Sequence, residues 1–146
     1  MRFSIKGLIL FTAAIAFLVW HIWPIHIELT RCDTAENVAT VDWLPDTASN
    51  ISYCKTYLNT AYEFDMTESE FLAWSEWDVN EIGQPVSITR YKRYAREIAG
   101  HTAEYDEQWA EIDDGLYYGK KRSNGGGVWV GYDRKQGRVF YTSSAR

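Results

Sequence analysis

A Ser-His-Asp or Cys-His arrangement for hydrolysis uses a histidine to move a proton, and this chain has three. Two of them, His21 and His26, lie in or beside an uncharged apolar run, where a neutral imidazole near a membrane interface is the simplest reading. His101 is the remaining one, in a polar stretch with little periodicity, and a solvated surface imidazole accounts for it more simply than a general base does. Carboxylates are more plentiful: Asp106, Glu107, Glu111, Asp113 and Asp114 form an acidic run that has the chemistry for a cation or an acid/base pair. The run lacks the spacing of an EF-hand and no single pair stands out, so a solvated acidic segment is the simpler reading. No HExxH, paired CxxC, GxxxxGK[ST] or GxGxxG is present, so zinc-protease, zinc-ribbon, P-loop and dinucleotide-binding readings have no motif behind them. No cofactor or metal is expected on these grounds, and a hydrolase using carboxylates or His101 is the third of three functional readings.

The aromatic content points further. Trp43, Trp74, Trp77, Trp109 and Trp129 offer flat faces for sugar rings or planar ligands, although domains of this size also use tryptophan as core. Trp129 stands out because Val128 and Val130, its strand neighbours, must face the other side. The Asn124-Gly125-Gly126-Gly127 loop, close to Lys120, Lys121 and Arg122, has backbone N–H groups for an anion, but a hairpin turn needs the same residues. Arg90, Lys92, Arg93 and Arg96 interleave with Tyr91 and Tyr94. Beyond residue 27 the chain carries 13 basic and 20 acidic residues, a net charge of −7, which argues against a nucleic-acid partner. The candidate binding residues are thus Trp129, Trp109, Asn124 and Arg90, and no catalytic residue is assigned.

These residues need elements to hold them. Alternation from Ile51 through Tyr53 and Tyr57, then through Tyr62, Phe64 and Met66, predicts a hairpin or two successive strands over residues 51–66 with a turn near Asn59. Thr67-Glu68-Ser69-Glu70 is a capping-box pattern, so a helix should begin there, with Phe71, Leu72 and Trp74 on its apolar side and an end before Gly83-Gln84-Pro85. Residues 86–99 fit either period. The reading adopted is a short strand to about Tyr91, then a helical or irregular excursion through the acidic stretch to Asp114. Gly115–Arg122, Gly127–Tyr132 and Arg138–Thr142 read as a three-stranded meander with Val128, Val130 and Tyr132 on one side and Trp129 on the other. The expected fold class is α+β: one small domain with a mainly antiparallel sheet and at least one packed helix.

Gly7 to Ile27 carries no formal charge, and about 21 helical residues span roughly 31 Å, enough for a hydrocarbon core. Arg2 and Lys6 precede it and Glu28, Asp33 and Glu36 follow. The positive-inside rule therefore gives a cytoplasmic segment at 1–6, a single-pass signal anchor at 7–27, a stalk at 28–42 and an extracytoplasmic domain at 43–146. A cleaved signal peptide is the competing reading, because Ala14-Ile15-Ala16 has a small-x-small pattern, but a cut there leaves a short apolar core before it and a hydrophobic stub after it. A lipoprotein at Cys32 is a further reading, which Arg31 disfavours. In an oxidising compartment Cys32 and Cys54 can pair, closing a loop whose chain-entropy gain is roughly 3 kcal/mol, while a buried thiol at Cys54 is the equal alternative.

In Leu44-Pro45, Ala48 to Tyr53, Thr60 to Asp65, Asn124 to Val128, Tyr132-Asp133-Arg134 and Gly137-Arg138 the chain resembles a group of uncharacterised small bacterial proteins with an N-terminal membrane segment. The resemblance implies export and transfers no functional residue. Taken together, the first expectation is a membrane-tethered, non-enzymatic extracytoplasmic domain that recognises a protein partner or an envelope component. The second is a small-ligand or saccharide-binding domain with a concave site at Trp129 or Trp109.

Overall fold

A computed structural model describes residues 11–17, 20 and 33–145 of the chain. The chain divides into two compact units, residues 1–31 and 32–146. In the first unit, residues 11–17 and 20 are helical and exposed. Among the described residues no helix is long and apolar enough to cross a membrane, and most of the expected 7–27 span lies outside them. Cys32 lies outside them too, so the structure bears on its pairing only through Cys54, which is fully buried in a strand.

The second unit is α+β. Its main sheet has seven strands, all pairs antiparallel, in the order β1 (Asp33–Val38), β2 (Ser49–Lys55), β3 (Asn59–Asp65), β9 (Arg138–Ser144), β8 (Gly127–Asp133), β7 (Gly115–Lys121), β4 (Asn80–Glu81). The meander expected at the C-terminus is β7-β8-β9, and the hairpin expected at 51–66 is β2-β3. The stalk does not begin as expected: residues 33–38, assigned to it, form the edge strand β1, bonded to β2 with a bulge at Asn37. Their polarity had concealed a strand, because an edge strand gains its hydrogen bonds from the backbone and buries little side chain. A second sheet pairs β5 (Val86–Thr89) with β6 (Trp109–Ile112). Strand β6 was expected to be part of an irregular excursion, whereas only residues 91–108 make that excursion, as α2 (Tyr91–Ile98) and α3 (Tyr105–Gln108).

Strand alternation gives the main sheet two buried faces. On one face Ile51, Tyr62, Phe64, Val130, Tyr132 and Val139 pack under helix α1 (Glu68–Trp74), whose Phe71 is fully buried and stacks on Tyr132 with centroids 5.3 Å apart. Trp43, Trp74 and Trp77 join this side through edge and tilted contacts with Tyr62, Phe64 and Tyr141; Trp74 and Trp77 pack half-buried against the core, and Trp43 lies at its exposed margin. Leu72, expected on the apolar side of α1, is half exposed, because a helix this short buries little beyond the turn that carries Phe71. On the opposite face the β5-β6 pair covers Gly131 and Phe140, while α2 covers Cys54 and Ala61. A Cβ at Gly131 would stand 2.4 Å from Ile88 Cδ1 and 2.6 Å from Ile112 Cδ1, so the missing side chain is what lets the small sheet sit against β8.

Helix α1 starts as its capping box requires: Glu70 N–H donates to Thr67 Oγ1 at 3.3 Å, and Thr67 N–H donates to Glu70 Oε2 at 2.9 Å. Arg134, on the β8-β9 turn, donates to Glu68, Glu81 and Asp114 and so links this helix to β4 and to the turn before β7. Hydrogen bonds from Arg134 hold the Glu68 carboxyl below its ordinary range, and those from the Thr67 hydroxyl and backbone do the same for Glu70. A depressed carboxylate contributes stability that is complete above its unfolded value of about 4.3 and is lost as pH falls through the lower folded value. The urea midpoint should therefore hold between about pH 5 and 7 and decline below about pH 4, more steeply than in a Glu68→Gln/Glu70→Gln variant. Equal declines in the two proteins would remove this role.

Candidate functional site

The two covers on the second face meet where Arg93 of α2 stacks on Trp109 of β6. Helix α2 sits over β2 and β3, the β5-β6 pair sits over β8 and β9, and between them lies a cleft of about 350 Å³. Its floor comes from β3, β9 and β8, through Asn59, Thr142, Ser144 and Trp129. One wall is Ser87, Thr89 and Trp109 of the small sheet, and the other is Arg93, Tyr94 and Glu97 of α2, with Gly125 at the rim. The two tryptophans singled out from sequence, distant in the chain, are brought to one site.

Each has a local reason for its place. Trp129 stands on the face of β8 opposite Val128 and Val130, which pack into the aromatic core. A Cβ at Gly127 would come within 2.8 Å of Trp129 Cη2, so glycine lets the indole lie along its own strand. Trp109 opens β6, paired with Thr89, directly after α3 ends. The Arg93 guanidinium carbon lies 4.7 Å from the centroid of the Trp109 ring, a cation–π stack, and Arg93 Nε donates to Glu97 Oε1 at 3.0 Å, one helical turn on. Thr142 Oγ1 donates to the Thr89 carbonyl at 2.6 Å and ties the wall to the floor. Asn59, Ser87, Thr89 and Ser144 make no side-chain hydrogen bond among the described residues, so their amide and hydroxyl groups are available to a ligand.

The other two candidates do not line the cleft. Asn124 lies in the β7-β8 turn, where its side-chain oxygen accepts from Gly126 N–H at 3.1 Å, and Arg122 N–H bonds the Gly126 carbonyl. The loop's polar groups close its own turn, which displaces the anion-cradle reading. Arg90 caps the start of α2 and grips Glu63 with two hydrogen bonds, Nε to Oε1 at 3.0 Å and Nη2 to Oε2 at 2.8 Å. Glu63 is fully buried on β3 and also accepts from Tyr91 N–H, with Arg138 Nη2 3.6 Å away. The bond to Glu63 raises the Arg90 guanidinium above its ordinary value. Burial, followed by the bond donated to Glu36, likewise raises the Tyr91 phenol. Arg90 is therefore an architectural residue: it anchors the helix that carries Arg93, Tyr94 and Glu97.

Lys92 and Arg96 both pair with Glu107, so this stretch of positive charge meets acidic neighbours within the domain. The acidic run is dispersed in the same way, with Asp113 on Lys135, Asp114 on Arg134 and Glu111 accepting from Tyr105. Among the described residues no three His, Cys, Asp or Glu side chains converge to hold a metal ion. His101 is exposed in the segment after α2, beside Gly100, Thr102 and Ala103, and does not line the cleft of the two tryptophans.

Sequence reasoning found Trp109 and Trp129 but missed Arg93, Glu97 and the hydroxyls of Ser87, Thr89 and Ser144. The i, i+4 spacing of Arg93 and Glu97 was a legible signal for their pairing; the strand β6 that brings Trp109 to Arg93 was not. No family model matches the chain, and neither a curated protein nor a solved structure is similar to it.

Proposed function

We propose that the domain is a small-ligand receptor whose cleft binds a sugar ring or a ligand of similar size, held at the membrane by residues 7–27 on the extracytoplasmic side. The observation that carries this reading is the meeting of Trp109 and Trp129 in one concave site with uncommitted amide and hydroxyl groups around them. Indole faces cover the apolar C–H faces of a pyranose, and neutral hydrogen-bonding side chains match its hydroxyls. A cleft of about 350 Å³ lies near the lower end of the size range of ligand sites, which suits about one or two sugar rings. The lining contains a single carboxylate, Glu97, already paired with Arg93, whereas glycoside hydrolysis by paired carboxylates needs two. Binding is thus better supported than turnover, and a small ligand better than a protein face.

The test is NMR titration of the full-length chain with a panel of mono- and disaccharides, following the indole N–H signals assigned through Trp109→Phe and Trp129→Phe. Ligands should shift those two signals selectively, and Trp129→Ala should weaken binding about tenfold or more while leaving the remaining spectrum in place. Titrations in which Trp43, Trp74 or Trp77 respond and these two do not would overturn the assignment.

A further inference from the structure

The wall of the cleft contains one cation in an unusual setting. Arg93 is fixed in two directions at once: its guanidinium stacks on Trp109 at 4.7 Å, and its Nε donates to Glu97 at 3.0 Å. Both contacts leave the same part of the group open. Stacking occupies a face of the guanidinium plane and Glu97 occupies Nε, so Nη1 and Nη2, the end-on pair, have no hydrogen-bond partner among the described residues. That pair is the edge that receives a carboxylate through two parallel hydrogen bonds. Because the side chain is already ordered, less rotamer freedom is lost when a ligand arrives than for an ordinary surface arginine. The neighbouring basic residues differ in this respect, since Arg90 uses both Nε and Nη2 on Glu63, and Lys92 and Arg96 share Glu107.

We infer that the cleft selects acidic saccharides: a pyranose ring stacks on Trp129 while its carboxylate binds end-on to Arg93, which Trp109 holds in place. This rests on the small-ligand reading above and narrows it from sugars in general to uronic acids and related carboxylated rings. Glu97 offsets the charge of Arg93 and so moderates the affinity for anions. Its presence also keeps the empty cleft nearly neutral, so discrimination comes from the geometry of the Arg93 edge more than from a long-range field. The neutral donors and acceptors at Asn59, Ser87, Thr89 and Ser144 serve the ring hydroxyls, and Arg93 serves the acid.

The experiment compares matched ligands on the full-length chain in a zwitterionic detergent without sugar headgroups: methyl glucuronide, its methyl ester and methyl glucoside, then galacturonate monomer and hexamer beside the neutral galactose oligomer. The readout is Kd from the Trp109 and Trp129 indole signals. Acids should bind about tenfold or more tighter than their neutral partners, the yield of a hydrogen bond to a charged group. Arg93→Gln should abolish this preference, bringing the acids to the affinity of their neutral partners, and Arg93→Lys, which cannot offer the paired edge, should restore only part of it. A hexamer preference over the monomer points to a polymer as the source of the acid, and equal binding points to a free sugar acid; either outcome supports the inference if the acid preference is present. If esters and neutral sugars bind as tightly as acids, the cleft reading survives and the role of Arg93 is overturned. If no sugar of any kind moves the two indoles, both are overturned.

Discussion

Replacing Arg90 by alanine should lower the stability of the domain by about 3–5 kcal/mol, among the largest effects available to any single side chain here. Glu63 is fully buried, and the two hydrogen bonds from Arg90 are the main compensation for its charge; Arg138, 3.6 Å away, is engaged with Asp65. Breaking a buried pair by removing one partner leaves the other charge in a low-dielectric site, which costs more than the pair contributes over an apolar replacement. The double variant Glu63→Leu/Arg90→Leu should consequently be more stable than Arg90→Ala alone. Arg90→Lys should fall between wild type and alanine, since an ammonium cannot reproduce the paired bonds. Urea unfolding of the full-length chain measures all three. An Arg90→Ala cost below about 1 kcal/mol, the ordinary worth of an exposed pair, would mean that Glu63 is solvated and that α2 is held by other contacts. Arg90 also bonds the Asp106 carbonyl through Nη1 and the Gln108 carbonyl through its backbone N–H. Alanine keeps the backbone bond but loses the one to Asp106, so the substitution should loosen α2 and α3 together, and with them the wall that carries Arg93.

Gly115→Ala should destabilise the domain by more than about 4 kcal/mol, a level that single substitutions seldom reach. Gly115 begins β7 with φ of 149°, and a Cβ built there would lie 1.8 Å from the Tyr132 carbonyl oxygen, a clash with backbone that no side-chain rotation relieves. Gly115 also accepts from Ile82 N–H, so displacing it disturbs the pairing of β7 with both its neighbours. Gly125→Ala is the matched comparison. Gly125 has φ of 89° but nothing within 4 Å of its Cβ position, so only the backbone preference is lost, about 1 kcal/mol. Thermal or urea unfolding of the two variants separates steric exclusion from conformational preference. If both cost the same, the close approach at Gly115 does not govern it.

Local signals in the sequence determined much of this molecule. The capping box at Thr67 to Glu70 started α1 where expected, because all its partners lie within one turn. The alternation around Trp129 and the turn residues at Asn124 to Gly127 and Asp133 to Gly137 marked the meander, because period and turn chemistry are both short-range. The same alternation marked Trp129 as facing away from Val128 and Val130, and that side proved to be the floor of a cleft. What depended on pairing between distant segments could not be read. Strand β1 is polar and declares itself only through its hydrogen bonds to β2. Strand β6 is four residues long and follows an acidic helix, so its period was too short to register. The pairing of β3 with β9, which joins the first hairpin to the meander, leaves no mark on either strand alone.

The choice of roles among chemically similar residues was likewise decided in three dimensions. Trp74 and Trp77 pack against the core with Trp43 at its margin, and Trp109 and Trp129 line the cleft, though all five are the same side chain, because sheet order places the first three on one face and the last two on the other. Arg90, the N-cap of α2, and Arg93, in its first turn, belong to one basic cluster, from which the sequence reading takes only Arg90 as a candidate. The burial of Glu63 under the first turn of α2 claims Arg90, and the arrival of Trp109 on β6 beside Arg93 places that guanidinium at the cleft. Composition, turn chemistry and the direction of single side chains are local properties and follow from the sequence by itself. Which arginine is left with open donors at the cleft depends on which strand happens to pass beside it, and only the tertiary structure decides that.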